Sequence, residues 1–126
     1  MSIETSLAAH LAENVPLAGG RVHPAALPQR PTLPALVYLR VSGVPTYDHD
    51  GPTGTVEARF QVSCWATRYG TARQLAAQVR SCLEGYKGLM GDTEIGHCFC
   101  VADRDAREAE PGLYHDPLEF TVMYYE

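Results

Sequence analysis

The sequence of 126 residues has one lysine, four cysteines and no apolar run that approaches eighteen residues. Without such a run, no segment is expected to span a membrane. The first fifteen residues carry two glutamates and no lysine or arginine, whereas a secretory signal peptide needs positive charge near its start. We therefore expect the chain to act in a cytoplasm, where a disulfide framework among Cys64, Cys82, Cys98 and Cys100 is not expected.

Basic residues are scarce in the last part of the chain, and this scarcity argues against nucleic-acid binding there. Residues 1–91 hold eight basic and six acidic residues, a balance of +2, whereas residues 92–126 hold two and nine, a balance of −7. Phosphate binding needs clustered lysine and arginine. The acidic segment would suit the lining of a passage that DNA crosses without sticking, or contact with a basic neighbour. The alternative is an ordinary solvated face.

Catalytic signatures are also missing. The sequence has no nucleophile elbow, P-loop or dinucleotide fingerprint, and Gly51–Gly54 lacks the lysine and the following helix that phosphate binding requires. In the most metal-like cluster, Cys98 and Cys100 share one face of a strand while His97 points to the other. Zinc ligands usually have C-x2-C spacing instead. We therefore expect no catalytic, cofactor-binding or metal-binding residue.

The most informative feature that is present is a long alternating segment, Thr55 to Ala66. Alternation over twelve residues is typical of a strand with one buried face. The residues predicted to share that face are Val56, Ala58, Phe60, Val62, Cys64 and Ala66. Thr71 is expected to cap an amphipathic helix that runs to about Tyr86. The apolar stripe of this helix is Ala72, Leu75, Ala76, Val79 and Leu83.

The other predicted elements are two short ones near the start and three further strands. Ser2 can cap a helix over Ser2–Ala12, in which Ile3, Leu7 and Leu11 share a face. A short extended piece at Val22 precedes residues 24–34, where four prolines make a stiff connector. Strands are predicted at Ala35–Ser42, with Ala35, Val37, Leu39 and Val41 on one face, at Glu94–Asp103 and at Leu118–Tyr125.

The order of these elements predicts an α+β fold. We expect a mixed or antiparallel sheet of about four to five strands with two helices packed on one face. Residues 43–54 would form a long polar loop that joins two strands as a hairpin, and residues 103–112 a second polar loop. The whole chain, residues 1–126, is expected to be a single domain.

Several aromatic and charged residues are candidates for contacts with other proteins. Asp48, His49 and Asp50 at the hairpin tip have the chemistry of a cation site or of an acid and base, but a tip rich in Gly and Pro suits an Asx turn. Tyr47 beside them favours interfaces. Trp65 lies opposite Phe60 and is either exposed for a partner or covered by the first helix. Tyr125 is a further candidate contact, and it must face away from Tyr124, its neighbour in the strand.

Five segments in this order resemble the tail-terminator or tail-completion family of long-tailed bacteriophages. The segments are GGRVHP (19–24), LPALVYLRVSG (33–43), VSCWA (62–66), ARQLAAQVRSCL (72–83) and PLEFTVMYY (117–125). The resemblance covers nearly the whole chain. It implies a small α+β subunit without a catalytic motif, which forms a ring, usually of six copies, at the head-proximal end of the tail tube.

The resemblance also implies a location and a set of partners. The chain would be a structural virion protein, not an enzyme, assembled in the host cytoplasm into the phage tail. Its partners would be further copies of itself, the major tail tube protein and the head-tail connector or stopper protein, and DNA would pass through the ring without specific binding. The alternatives are another neck component such as a head-tail adaptor, a small metal-dependent enzyme, or a small soluble binding module.

Overall fold

The computed structural model describes residues 2–48 and 51–126, and within them a seven-stranded sheet with helices on one face. The strands are β1 (Val22–Pro24), β2 (Ala35–Asp48), β3 (Gly51–Ala66), β4 (Gly88–Met90), β5 (Thr93–Asp103), β6 (Arg107–Glu110) and β7 (Leu113–Tyr125). Their spatial order is β1-β2-β3-β7-β5-β4, and β6 pairs with β7. β1 runs parallel to β2, and the other pairs are antiparallel.

Two helices, α1 (Ile3–Asn14) and α2 (Tyr69–Leu83), cover the same face of the sheet and form its core. The predicted face of β3 is confirmed, because all six of its residues are buried. Phe60 on β3 lies opposite Phe120 on β7, and both side chains are fully buried. The predicted apolar stripes of the two helices are also buried. Within the described residues, neither helix is long and apolar enough to cross a membrane.

The sheet has more strands than the four to five that we predicted. Strands β4 and β6 lie in segments that read as turns, since each is short and lacks an apolar alternation. The predicted polar loop 43–54 is wrong, because β2 and β3 continue through it as a paired ribbon. Backbone hydrogen bonds hold this ribbon, and they need no apolar side chains. Side-chain periodicity therefore could not reveal it.

The boundaries of the helices follow local capping in one case and not in the other. The hydroxyl of Ser2 accepts a hydrogen bond from the Thr5 amide at 3.1 Å, so the predicted cap of α1 is confirmed. The predicted cap at Thr71 is wrong. Helix α2 begins at Tyr69, and the residue that precedes it, Arg68, makes no side-chain capping bond. Two residues join the end of β3 to the start of α2, and no side-chain cap marks this start.

Both edges of the sheet are protected against pairing with another strand. β1 covers only three residues of β2, and β2 then has a bulge between Arg40 and Ser42 and a proline, Pro45, that lacks an amide proton. At the other edge, β4 has only three residues. Beyond β4, the Glu84 carboxylate accepts a hydrogen bond from the Cys100 amide of β5 at 2.6 Å, so this amide cannot pair with another strand. Short edge strands, bulges and prolines oppose edge-to-edge association. Contacts with other proteins are therefore expected on a face of the sheet or at its ends.

Candidate interface

The face of the sheet opposite the helices has no element packed across its centre in the described part of the chain, and we call it the open face. The strand register places four large apolar side chains on this face, because each pairs with a residue that points away from the core. They are Leu39, Val44, Phe99 and Tyr125. Their exposures, from 46% to 62%, are high for large apolar side chains. Of the residues predicted to share a face of β2, Ala35 and Val37 are buried, but Leu39 and Val41 are about half exposed. Leu36 is the β2 residue that joins the core instead.

The structure separates the six predicted contact residues. Tyr47 and Asp48 are the last two residues of β2, at the end of the hairpin. His49 and Asp50 lie outside the described residues. Trp65 and Tyr125 lie on the open face at opposite ends of the β3–β7 pair. Trp65 is therefore not covered by the first helix. Tyr124 turns the other way and is part of the core.

Trp65 forms the floor of a groove with His115, a residue that the sequence analysis missed. The two rings stack at a centroid distance of 4.2 Å and an angle of 10°. The groove has a volume of about 460 Å³, and its walls include the connector Ala25–Leu27 and, across the floor, Glu110 and Leu113. We call it the Trp65 groove. His115 was missed because β7 begins at Leu113, whereas the predicted strand began at Leu118.

Two polar atoms of this groove lack partners. Trp65 Nε1 and His115 Nε2 are shielded from solvent and make no hydrogen bond with any atom of residues 2–48 and 51–126. Burial also lowers the pKa of His115, which favours the neutral imidazole near pH 7. Buried polar groups in native proteins are nearly always hydrogen-bonded. Both atoms thus lack a partner within the subunit, and an outside group could reach them only after a turn of the rings that exposes them.

The His97–Cys100 segment has the geometry that its alternation predicts. Cys98 is fully buried and Cys100 packs against the same core, while His97 is on the open face. The His97 ring stacks on Phe99 at 5.0 Å, and its Nε2 is 3.8 Å from a carboxylate oxygen of Glu57. His97 and the two thiols therefore do not converge, and no group of three or more metal-ligating side chains occurs among the described residues.

Burial should make the thiols of this protein slow to react. It raises the pKa of Cys98 to about 12 and that of Cys82 to about 11, and it raises the pKa of Cys64 well above its usual value. At pH 8 a thiol of pKa 11 has a thiolate fraction roughly 200-fold below that of a free cysteine. We expect titration with a chromogenic disulfide to detect all four thiols rapidly in guanidinium. In the native protein, fewer than four should react rapidly. Four fast thiols in the native protein would contradict this burial.

A buried charge anchors α2 to the sheet. The carboxylate of Asp116 on β7 is fully buried, and its Oδ2 is 3.0 Å from Nη1 of Arg73 on α2. Burial raises the pKa of Asp116, and Arg73 opposes that rise. This pair was not predicted from the sequence. The available signal was that Asp116 falls in phase with Leu118 and Phe120 on the core face of β7.

Arg73 and a second arginine of α2, Arg80, neutralise part of the negative charge of the acidic segment 92–126. Arg73 also lies 3.8 Å from Asp103 and 3.8 Å from Asp105, and Arg80 lies 2.8 Å from Asp103. Three of the nine acidic residues in 92–126 therefore face arginines of α2. The acidity that remains for contact with solvent or with other molecules is smaller than the sequence balance of −7 indicates.

Comparison with known proteins identifies a family and a similar fold. The model of the family described as "Tail completion protein gp17" matches residues 5–125. No curated protein matches the chain in sequence. Among solved structures, a chain of the "Virion of native gene transfer agent (GTA) particle" has a TM-score of 0.68 and 18% sequence identity, and the match covers 99% of this chain and 98% of that chain. At 18% identity, this likeness indicates a shared fold.

Proposed function

This chain belongs to the tail completion protein gp17 family, and we propose from that premise that it forms a ring of six copies capping the head-proximal end of the phage tail tube. Members of the family are structural proteins of the virion, so the chain is a component of the phage tail. The number of copies, the capping role and the partners belong to the proposal. So does the assignment of residues 1–126 to one domain, which is supported by a main core cluster with residues from both helices.

The observation that carries the proposal is the open face. Phe99 is 49% exposed and Val44 62% exposed on a face without a helix, whereas the sheet edges are protected. These two side chains are on β5 and β2, with β7 and β3 between them, so they are separate exposed apolar sites on one face, and aromatic side chains are enriched at contacts between proteins. A subunit that works only within an assembly would leave such a face open as a monomer. The fold shared with a chain of a gene transfer agent virion supports the same role.

The mechanism would be geometric. A ring that matches the end of the tube and offers no further tube-binding surface on its other side stops polymerisation. That other side then meets the head connector or stopper protein. Ring contacts of this kind are heterologous, because one surface of a subunit meets a different surface of the next. The acidic side chains that α2 does not compensate would face the lumen and let DNA pass. An assembled tail with these side chains on its outer wall would overturn the lumen assignment.

Native mass spectrometry of the purified protein gives a first test. Six chains of 13.8 kDa predict an assembly of about 83 kDa. A stable assembly with another number of copies would contradict the proposed stoichiometry. A monomer would indicate that the ring closes only on the tube, and the number of copies would then be counted by electron microscopy of intact tails.

Electron microscopy of particles that lack the protein separates capping from the neighbouring role. A missing cap predicts tubes longer than normal and without heads, because nothing stops their growth. Tubes of normal length without heads would indicate a head-tail adaptor and contradict the capping role. Re-expression of the intact chain serves as the control and should restore tube length and head attachment.

A further inference from the structure

The two ends of β3 carry different features. At its start, β3 pairs with β7 only from Thr55, opposite Tyr125, so the ribbon Thr46–Asp48 and Gly51–Gly54 projects beyond the third strand. We call this ribbon the hairpin arm. Four residues of β-strand span about 13 Å, which gives the reach of the arm beyond the sheet. At the other end of β3 is the Trp65 groove.

We propose that the Trp65 groove receives the hairpin arm of the adjacent copy, so that the subunits join head to tail. The proposal rests on the proposed ring, and it names the contact that closes it. A closed ring needs two different and complementary surfaces on each subunit. A projecting ribbon and a groove at opposite ends of one strand pair are such surfaces, and an arm that enters a neighbour's groove cannot enter its own.

The unpartnered atoms of the groove fit an extended polypeptide. Trp65 Nε1 is a donor that needs an acceptor, and His115 Nε2 needs a donor or an acceptor according to its tautomer. A peptide backbone offers both kinds of group. In the arm, Pro52 has no amide proton and the Gly54 carbonyl already accepts a hydrogen bond from the Glu126 amide, so the other peptide groups at its edges would make these bonds. If docking turns the two rings so that these atoms face the groove, occupation of the groove would satisfy two atoms that are otherwise buried at a cost.

A hollow next to the groove carries positive charge, whereas the groove itself is lined by one carboxylate, that of Glu110. Beside His115 a hollow of about 290 Å³ is lined by Arg104, Arg107, Asp105 and Pro117. The Asp105 carboxylate already accepts a hydrogen bond from Tyr69 at 2.7 Å and lies 3.8 Å from Arg73, so the two arginines dominate this hollow. The arm segment, by contrast, has no lysine or arginine between positions 40 and 59 and carries aspartates at 48 and 50. Attraction of the arm to this end would therefore come from Arg104 and Arg107 of the adjacent hollow and not from the groove.

Photo-cross-linking in assembled tails tests the contact directly. Leu113 lines the groove and is outside the main core cluster, so benzoylphenylalanine at this position should keep the fold. Tails would be assembled from a mixture of isotope-labelled and unlabelled subunits, irradiated and digested with trypsin. We expect cross-links of mixed isotope composition to the tryptic peptide 41–59, which contains the whole arm. Cross-links to another segment or to another virion protein, or none in tails of normal length, would overturn the contact but leave the ring intact.

Two variants probe the same contact from each side. Trp65→Phe keeps an aromatic ring against His115 but removes the donor, and we expect the yield of the cross-link to fall about fivefold, the effect of one hydrogen bond. Tyr86→Phe is the control, because it removes a hydroxyl that donates to the Leu89 carbonyl, outside both the groove and the hollow. Replacing residues 46–53 by Asn-Gly removes most of the arm and leaves a four-residue hairpin loop between the paired residues Pro45 and Val56. This variant should fold with an unchanged melting temperature and lose the cross-link and the ring; a ring of six copies without the arm would contradict the proposal.

Discussion

Replacing Arg73 by methionine should lower the free energy of unfolding by about 3 kcal/mol at pH 7. The substitution leaves the fully buried carboxylate of Asp116 without its cation, and breaking a buried ion pair from one side costs about 3–5 kcal/mol. The lower end of that range applies because the Arg73 side chain is 38% exposed, so water screens part of the interaction. Urea unfolding of the variant and the parent protein measures the difference.

The loss should depend on pH in a defined direction. Burial already raises the pKa of Asp116, and removal of Arg73 raises it further. A carboxyl group whose pKa is higher in the folded than in the unfolded state gives stability that is complete below the unfolded pKa and is lost as pH rises through the folded pKa. The deficit of Arg73→Met is therefore largest near neutral pH and shrinks as the pH falls through the folded pKa of Asp116.

Arg80→Met is the matched control for this prediction. Arg80 pairs with Asp103 at 2.8 Å, but both side chains are partly exposed, so the loss should stay below about 1 kcal/mol. The double variant Arg73→Met/Asp116→Asn should recover stability at pH 7, because it removes the buried charge. Equal losses in the two arginine variants, or a loss in Arg73→Met that is the same at pH 7 and pH 4, would show that an unpaired buried charge is not the cause.

Phe120→Ala should cost about 3–5 kcal/mol, because it opens a cavity where two fully buried phenylalanines meet at the centre of the sheet. A domain of this size has about 5–15 kcal/mol of stability in total. The variant should therefore lose a large part of its margin and unfold at a clearly lower urea concentration. Loss of less than about 1 kcal/mol would mean that Phe120 is not packed as the structure has it.

Phe99→Ala, on the neighbouring strand β5, is the informative control. The residue type and the substitution are the same, but Phe99 lies on the open face and is 49% exposed. We expect a loss of stability below about 1 kcal/mol, together with weaker assembly of the ring. A fully assembled Phe99→Ala protein would remove Phe99 from the interface, and a loss equal to that of Phe120→Ala would mean that the open face is covered within the subunit.

Much of the fold follows from local sequence patterns. The alternation in β3, the stripe of α2 and the cap at Ser2 each predict an observed feature, because burial of one face and capping of one helix end are properties of short segments. The patterns fail where the backbone alone holds the structure. The hairpin arm and β6 have no apolar alternation and were therefore predicted as loops.

The sequence by itself determined the α+β class, the buried face of β3 and, through the order of its segments, the family to which the chain belongs. Only the tertiary structure decided the Trp65 groove and the Arg73–Asp116 pair. Both depend on the register between β3 and β7, which sets Trp65 opposite His115 and Cys64 opposite Asp116, about fifty residues later in the chain. A shift of one residue would turn each of these side chains to the other face. Local periodicity specifies which face of a strand is buried, but the site arises where distant strands meet in one register.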